Sequence, residues 1–314
     1  MTHPDVTQTE PLDAPDWVER YVVEVNYDGW RLDQFLTQKL RRASRSHVVR
    51  ILANGARMAD GRAARPSLRV RTGDIVELPR HERADPATPG LEAVVVLHEE
   101  ADLVVLGKPA GMLVHRTAHE ATRTVEAWLR LRYPAERAEA GHRLDRDTEG
   151  CLVCARGDDA VRHLRALFAG GGVEKHYRAR VYDPGCRWTP GQRATLATPL
   201  GFDPSSEVAL RMGRGALACA THVTTLERDD DHALLDVSIE GGRQHQIRAH
   251  LSLEGTPIVG DKLYGMGDAF FLAWRQDPAD EALERTLPRR WHALAAHRVV
   301  FPWRGGTRSV QAQL

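Results

Sequence analysis

Little in this chain favours a membrane, a metal or an oxidising compartment. No apolar run approaches the length needed to cross a bilayer. Cysteine is scarce: Cys151, Cys154, Cys186 and Cys219 are the only four, and their spacing matches neither a disulfide scaffold nor a zinc ribbon. Cys151 and Cys154 do form one C-x-x-C, but in an apolar run that reads as a strand, whose alternation sends the two side chains to opposite faces. Buried, reduced thiols are expected there, and no metal. Aromatic residues make up 6%, too few for the stacked platforms of a carbohydrate-cleaving site built on Asp145 with Asp147 or Glu149. G-x-G-x-x-G, the phosphate-binding loop and H-E-x-x-H are all missing, so nucleotide cofactors and zinc hydrolysis lose ground. Residues 1–17 are acidic and Pro-rich without an apolar segment, which argues against a secretory signal and predicts a disordered tail on a cytoplasmic protein.

What remains is ordinary globular composition, 42% apolar and 27% charged over 314 residues, enough for two domains. The net charge of zero conceals a segregation. Between Val18 and Arg80 stand thirteen arginines and lysines against seven acids, a local excess of the kind that attracts phosphate. The segment reads as a strand over Tyr21–Val25, then a helix carrying Leu32, Phe35, Leu36 and Leu40. A second helix carries Val48, Val49, Ile51 and Leu52 and stops near Asn54-Gly55. A hairpin turning at Asp60-Gly61 follows, and a last strand over Ile75–Leu78. Residues 81–90 are polar and rich in Pro and Gly, and read as a linker.

From residue 91 to 314 strands outnumber helices. Strands are expected at Ala93–Leu97, Leu103–Leu106, Met112–His115, Cys151–Ala155, His176–Tyr182, Thr221–Leu226, Ala233–Ile239 and Arg298–Phe301. Helices are expected at Thr124–Arg132, Asp158–Phe168 and His245–Leu253. Because several strands follow one another directly, the fold class is α+β. A mainly antiparallel mixed sheet with packed helices is expected, preceded by a small α+β domain.

Three blocks carry polar residues that a structural element would not need. Gly141-His142-Arg143-Leu144-Asp145 presents a carboxylate ahead of an apolar strand. In Glu174-Lys175-His176-Tyr177-Arg178, the period of two sets Lys175 and Tyr177 on one face. Gly242-Arg243-Gln244-His245-Gln246-Ile247-Arg248 opens a helix with many donors. Each also has a plainer reading. Asp145 with Arg248 can be a buried ion pair, Tyr177 a core residue, and His142, His245 and His250 satisfied polar histidines.

Together with Gly107-Lys108-Pro109-Ala110-Gly111 and Pro257-Ile258-Val259-Gly260-Asp261-Lys262-Leu263-Tyr264-Gly265, these blocks resemble, in order and spacing, the RluA-type RNA pseudouridine synthases. The resemblance runs from about Leu91 to Phe301. It implies that Asp145 is the essential aspartate, that Arg143 enters the RNA stack as the target uridine leaves, that Tyr177 stacks on the extruded base, and that Arg248 pairs with the aspartate. Lys175, Arg243, Gln244 and His245 fall in the matched blocks without defined roles. Glu149 and Arg178 depart from the pattern, standing where serine and an apolar residue are usual. Residues 18–80 resemble the S-four RNA-binding domain through Arg31-Leu32-Asp33-Phe35-Leu36, Ala43-Ser44-Arg45-Ser46, Gly55, Asp60-Gly61 and Gly73-Asp74. On that resemblance Arg41, Arg42, Arg45 and Arg50 are the candidates for gripping RNA. The implied protein is a monomer that needs no cofactor and no membrane. It acts on structured RNA, ribosomal RNA first and transfer RNA second. The competing reading is a non-catalytic RNA-binding or ribosome-assembly protein that keeps the fold.

Overall fold

Apolar residues at helical spacing and two short alternating runs build the amino-terminal part of the chain. Its elements are β1 (Val18–Val22), α1 (Leu32–Lys39), α2 (Arg45–Ala53), β2 (Arg57–Met58) and β3 (Ile75–Pro79). The strands form one antiparallel sheet in the order β1-β3-β2. Leu32, Phe35 and Leu36 of α1 meet Val48 and Leu52 of α2 over Met58, Val70, Val76 and Leu78. The first strand ends earlier than expected, because Val25–Tyr27 winds into a turn of 3₁₀-helix closed by the Tyr27 amide on the Glu24 carbonyl. Asp60-Gly61 does turn, yet the returning arm makes only one bridge, Arg57 with Ala63, and β2 finds its ladder on β3 instead. The arm is diverted because the Pro66 and Leu68 carbonyls accept the first amides of α1, from Asp33 and Leu32.

The structure, a computed structural model, describes residues 18–40, 45–53, 56–79, 85–117 and 120–313. Its chain divides into two compact units, Met1–Arg83 and Ala84–Leu314. Within the stretch 81–90, Asp85 and Thr88 are buried in the larger unit.

The larger unit runs β4 (Val95–Glu99), β5 (Leu103–Lys108), α3 (Val125–Arg132), β6 (Ala138–Ala140), β7 (Glu149–Arg156), α4 (Asp158–Ala169) and β8 (Glu174–Tyr182). Next come β9 (Arg193–Leu196), β10 (Leu200–Phe202), β11 (Met212–Arg214), β12 (Ala220–Arg228) and β13 (His232–Glu240). It ends with α5 (Gln246–Leu253), α6 (Asp268–Gln276), α7 (Glu281–Thr286), β14 (Leu294–Trp303) and β15 (Gly306–Gln311). Ten strands make one sheet whose main path is β4-β5-β7-β14-β8-β13-β12-β9, with β15 on β14 and β6 on β7. Among the described strands only the β7–β14 pairing is parallel, so the fold is α+β with a mainly antiparallel mixed sheet. β10 and β11 form a separate two-stranded ribbon.

Strand alternation gives the sheet two apolar faces. Leu106, Leu152, Cys154, Ala179 and Leu235 pack on one, and Val105, Cys151, Val153, Phe301 and Trp303 on the other, under Val161 and Leu164 of α4. Cys151 and Cys154 accordingly lie on opposite sides, both as free thiols. The expected strand at Met112–His115 is absent; Leu113 makes a single bridge to Thr124. Its Leu113 and Val114 carbonyls accept the first amides of α3, from Val125 and Glu126, so the segment is tied to a helix start in place of a strand partner.

Candidate active site

Asp145 lies in the turn between β6 and β7, closed by the Thr148 amide on the Asp145 carbonyl at 3.2 Å. Two features hold that turn. Lys108, 1% exposed at the end of β5, points its ammonium at the carbonyls of Pro109, Met112 and Arg146, at 2.9, 2.7 and 2.9 Å. The Arg146 carbonyl also accepts the Gly111 amide at 2.9 Å. Gly111 has φ +86°, and a Cβ there would stand 2.6 Å from the Trp291 ring. On the other side Gly150, at φ +106°, lets β7 run so close to β14 that a Cβ would sit 2.2 Å from the Ala296 carbonyl oxygen. Only glycine fits both demands.

From α5, Arg248 Nη1 donates to Asp145 Oδ2 at 2.8 Å. The same guanidinium is forked on Asp261, Nε to Oδ2 at 2.6 Å and Nη2 to Oδ1 at 3.0 Å. Asp261 in turn accepts the Leu263 and Tyr264 amides, each at 3.0 Å. One arginine thus joins a fixed carboxylate, tied to its own backbone, to a second carboxylate that faces the cleft. Bidentate pairing of this kind sets direction as well as charge. His245 Nε2 stands 3.9 Å from Asp145 Oδ2, and its Nδ1 is 3.1 Å from the Tyr264 hydroxyl, which accepts the Met212 amide at 2.9 Å.

Burial alone would raise the Asp145 carboxyl. The charges and hydrogen bond supplied by His245 and Arg248 overcome it and hold the group well below the usual carboxylate range. His245 is itself pushed down to about 4 by burial and Arg248. The imidazole therefore carries its charge only in acid; near neutrality it is uncharged, and Arg248 is the cation in contact with the Asp145 carboxylate. Burial opposes the charge of Arg248 too, but Asp261 and Asp145 outweigh it and raise the group well above its ordinary value.

Arg143, Asp145, Lys175, Tyr177, Arg243, Gln244, His245 and Arg248 all line one cleft of about 410 Å³. Lys175 and Tyr177 reach it from the same face of β8, as the period of two requires. The Tyr177 hydroxyl is pushed up, first by burial and then by Asp145, and stays protonated. Arg178 points the other way and pairs with Asp236 on the neighbouring β13 at 2.5 Å, which accounts for a charge at that position. Glu149 is not among the residues lining the cleft. Arg143, Lys175 and Arg243 have no carboxylate partner among the described residues. His250 is satisfied by the Thr221 hydroxyl and the Thr198 carbonyl, at 2.8 and 2.9 Å. Among the described residues no cluster of His, Cys, Asp and Glu could hold a metal.

In the amino-terminal unit, exposed Arg45 donates to buried Asp33 at 2.9 and 3.1 Å. Arg41 and Arg42 lie outside the described residues, as does the Arg50 side chain.

Sequence reasoning did not single out several residues of this site. Asp261 and Tyr264 lay inside a matched block without a role. Gln246 accepts the Gly242 and Arg243 amides, each at 3.0 Å, and donates to the Ala220 and Glu240 carbonyls at 2.8 and 3.1 Å, so it shapes the loop before α5. Lys262 Nζ binds Asp147 Oδ2 at 2.6 Å, and the Thr148 hydroxyl meets His292 Nε2 at 2.8 Å. No local pattern marks His292; it arrives from far along the chain.

Residues 102–253 match the family model described as RNA pseudouridylate synthase. A Chloroflexus aurantiacus protein named an uncharacterized RNA pseudouridine synthase is 35% identical, over 82% of this chain and 82% of its own. The ribosomal large subunit pseudouridine synthase C of Vibrio cholerae is 32% identical over 77% and 79% of the two chains. Synthase D of the same designation from Xanthomonas campestris is 32% identical over 82% and 77%. Among solved structures, human RNA pseudouridylate synthase domain containing 1 superposes with a TM-score of 0.57 at 21% identity, over 72% of this chain and 85% of that one, a likeness of fold.

Proposed function

The chain belongs to the RNA pseudouridine synthases, and from that premise we propose that it isomerises specific uridines in structured RNA of the large ribosomal subunit, with Asp145 as the essential carboxylate. The observation that carries this reading is a single ionised aspartate, oriented by an arginine that is itself fixed by Asp261, in a cleft that also holds an aromatic side chain.

The reaction breaks the bond from ribose to the uracil ring nitrogen, turns the base while it stays bound, and rejoins it through a ring carbon, whose proton is exchanged for one on the freed nitrogen. Nothing is gained or lost overall, so the chemistry calls for no cofactor. A stacked uridine must first leave the helix, at a cost of a few kcal/mol. Tyr177 offsets this by stacking on the extruded base, worth about 1–3 kcal/mol. Arg143, exposed at the cleft, fills the vacated space, and the unpaired cations Lys175 and Arg243 meet the phosphates. Arg248 keeps Asp145 ionised beside the sugar, where a carboxylate can add, remove a proton or offset developing positive charge. The amino-terminal unit, with Arg45 on α2, acts as an S-four-like grip on folded RNA.

Incubating the full chain with large-subunit ribosomal RNA and with transfer RNA, then mapping pseudouridine, tests the reading. Asp145→Asn keeps the shape and the Arg248 contact of the side chain but not its charge. It should leave RNA affinity within about threefold and abolish conversion. Conversion at the wild-type rate by that variant would remove Asp145 from its role.

A further inference from the structure

We propose that Asp85, Arg290 and Lys262 form a positioning chain that ties the segment entering the larger unit to the turn bearing Asp145. Asp85, 1% exposed, is the first described residue of that unit and follows the amino-terminal unit in sequence. Its Oδ1 accepts Arg290 Nη2 at 2.5 Å and the Ala87 amide at 2.9 Å. The Arg290 carbonyl accepts the Lys262 ammonium, and the same ammonium reaches Asp147 Oδ2 at 2.6 Å. Asp147 shares its turn with Asp145. The two cations lie over the same pair of rings, Lys262 at 4.9 and 4.8 Å from Trp274 and Trp291, and Arg290 at 4.9 and 5.3 Å.

Asp85 and Lys262 are buried and Arg290 and Asp147 half-buried, so loss of Asp85 leaves the Arg290 guanidinium with Glu284 as its remaining carboxylate partner among the described residues. Such a series of discrete contacts can carry a displacement from one end to the other. The Asp85 end is incompletely satisfied: its Oδ2 and Arg290 Nε are buried without a hydrogen-bond partner among the described residues. A contact lacking its second bond opens more readily than a closed fork. Arg290 is also held by Glu284 at 2.5 Å and by the Pro278 carbonyl at 3.0 Å, so loss of Asp85 tilts it toward those partners and shifts the carbonyl that holds Lys262 without unseating it. None of these residues lines the cleft, so their effect on the reaction passes through Asp147 and its turn. Arg290, Lys262 and Asp85 are positioning residues, and their importance rests on the role proposed for Asp145.

Two measurements on the full chain test this. The first is amide hydrogen exchange at Gly111 and Thr148, whose acceptors are the Arg146 and Asp145 carbonyls. Asp85→Asn should speed both by about tenfold while the β12–β13 amides keep their rates, which also certifies the fold. The second is single-turnover conversion of large-subunit ribosomal RNA. Asp85→Asn should slow it by about tenfold or more, with RNA affinity within about twofold. Asp85→Glu should restore most of the rate, and Asp147→Asn should add no further loss on top of Asp85→Asn. Should Asp85→Asn unfold, Arg290→Lys, which keeps the charge and the carbonyl acceptor, should give the same localised loosening. Unchanged exchange at Gly111 and Thr148, or strictly additive effects of the Asp85 and Asp147 variants, overturns the inference. Turnover by Asp145→Asn would instead remove the functional reading and leave the exchange result standing.

Discussion

Arg248 serves two carboxylates at once, and the two uses can be separated by substitution. Lysine keeps the charge but not the fork, so Arg248→Lys cannot hold Asp261 through two bonds and reach Asp145 with a third. His245 and Arg248 together hold the Asp145 carboxyl below its ordinary range, and the short Arg248 hydrogen bond is the part of that support which lysine gives up. We expect Arg248→Lys to slow single-turnover conversion at neutral pH by about tenfold or more while RNA affinity stays within about threefold. A wild-type rate in that variant would mean that Asp145 does not depend on the Arg248 fork for its orientation. Tyr177 offers a complementary test: Tyr177→Phe retains the face that stacks and should keep most RNA-dependent activity, while Tyr177→Ala should lose roughly 1–3 kcal/mol of transition-state binding, read from kcat/KM.

Where β7 meets β14, a close backbone approach fixes the strand that follows the Asp145 turn. Gly150 combines a left-handed φ of +106° with a would-be Cβ contact of 2.2 Å to the Ala296 carbonyl. Gly150→Ala must therefore push the only parallel pair of the sheet apart, and should cost more than about 2 kcal/mol by urea denaturation. The long alternating elements could be read in the sequence because they obey one rule over many residues: β8, β12 and β13 alternate, and α4 keeps one apolar stripe. Elements that escaped are short or lack a contrast between faces. β10 and β11 have three residues each, α7 has six, and β15 buries only Val310. The apparent strand at Met112–His115 failed for a reason no periodicity carries: its Leu113 and Val114 carbonyls accept the first amides of α3. Asp145, Tyr177 and Arg248 stood out because their blocks set charge or donors against apolar runs. Lys108, Asp261 and His292 did not, since their work is to hold other residues and their partners are far away in sequence.

Across the whole molecule, acid should act in two stages. Burial pushes His142 down to about 3, and His245 and His292 to about 4. An unfolded histidine titrates near 6.5. Between those values the unfolded chain binds protons that the folded chain refuses, so stability falls as the pH is lowered from about 6.5. Asp145 and Asp261, whose folded values are depressed, contribute stability above the unfolded carboxyl value of about 4 and lose it only below that point. Denaturation midpoints should thus decline first between pH 6.5 and 4, then again at lower pH; a flat midpoint from pH 7 to 5 would contradict the buried neutral histidines. The sheet itself supplies a way to watch its two sides come apart. Cys154 packs beneath the cleft side and Cys151 beneath α4, three residues apart on one strand yet sealed in different layers. Burial pushes the Cys151 thiol up to about 11 and that of Cys154 further still, so neither reacts while its layer is shut. In denaturant, the labelling rates of these two thiols act as separate clocks, one for each side of a single β-strand.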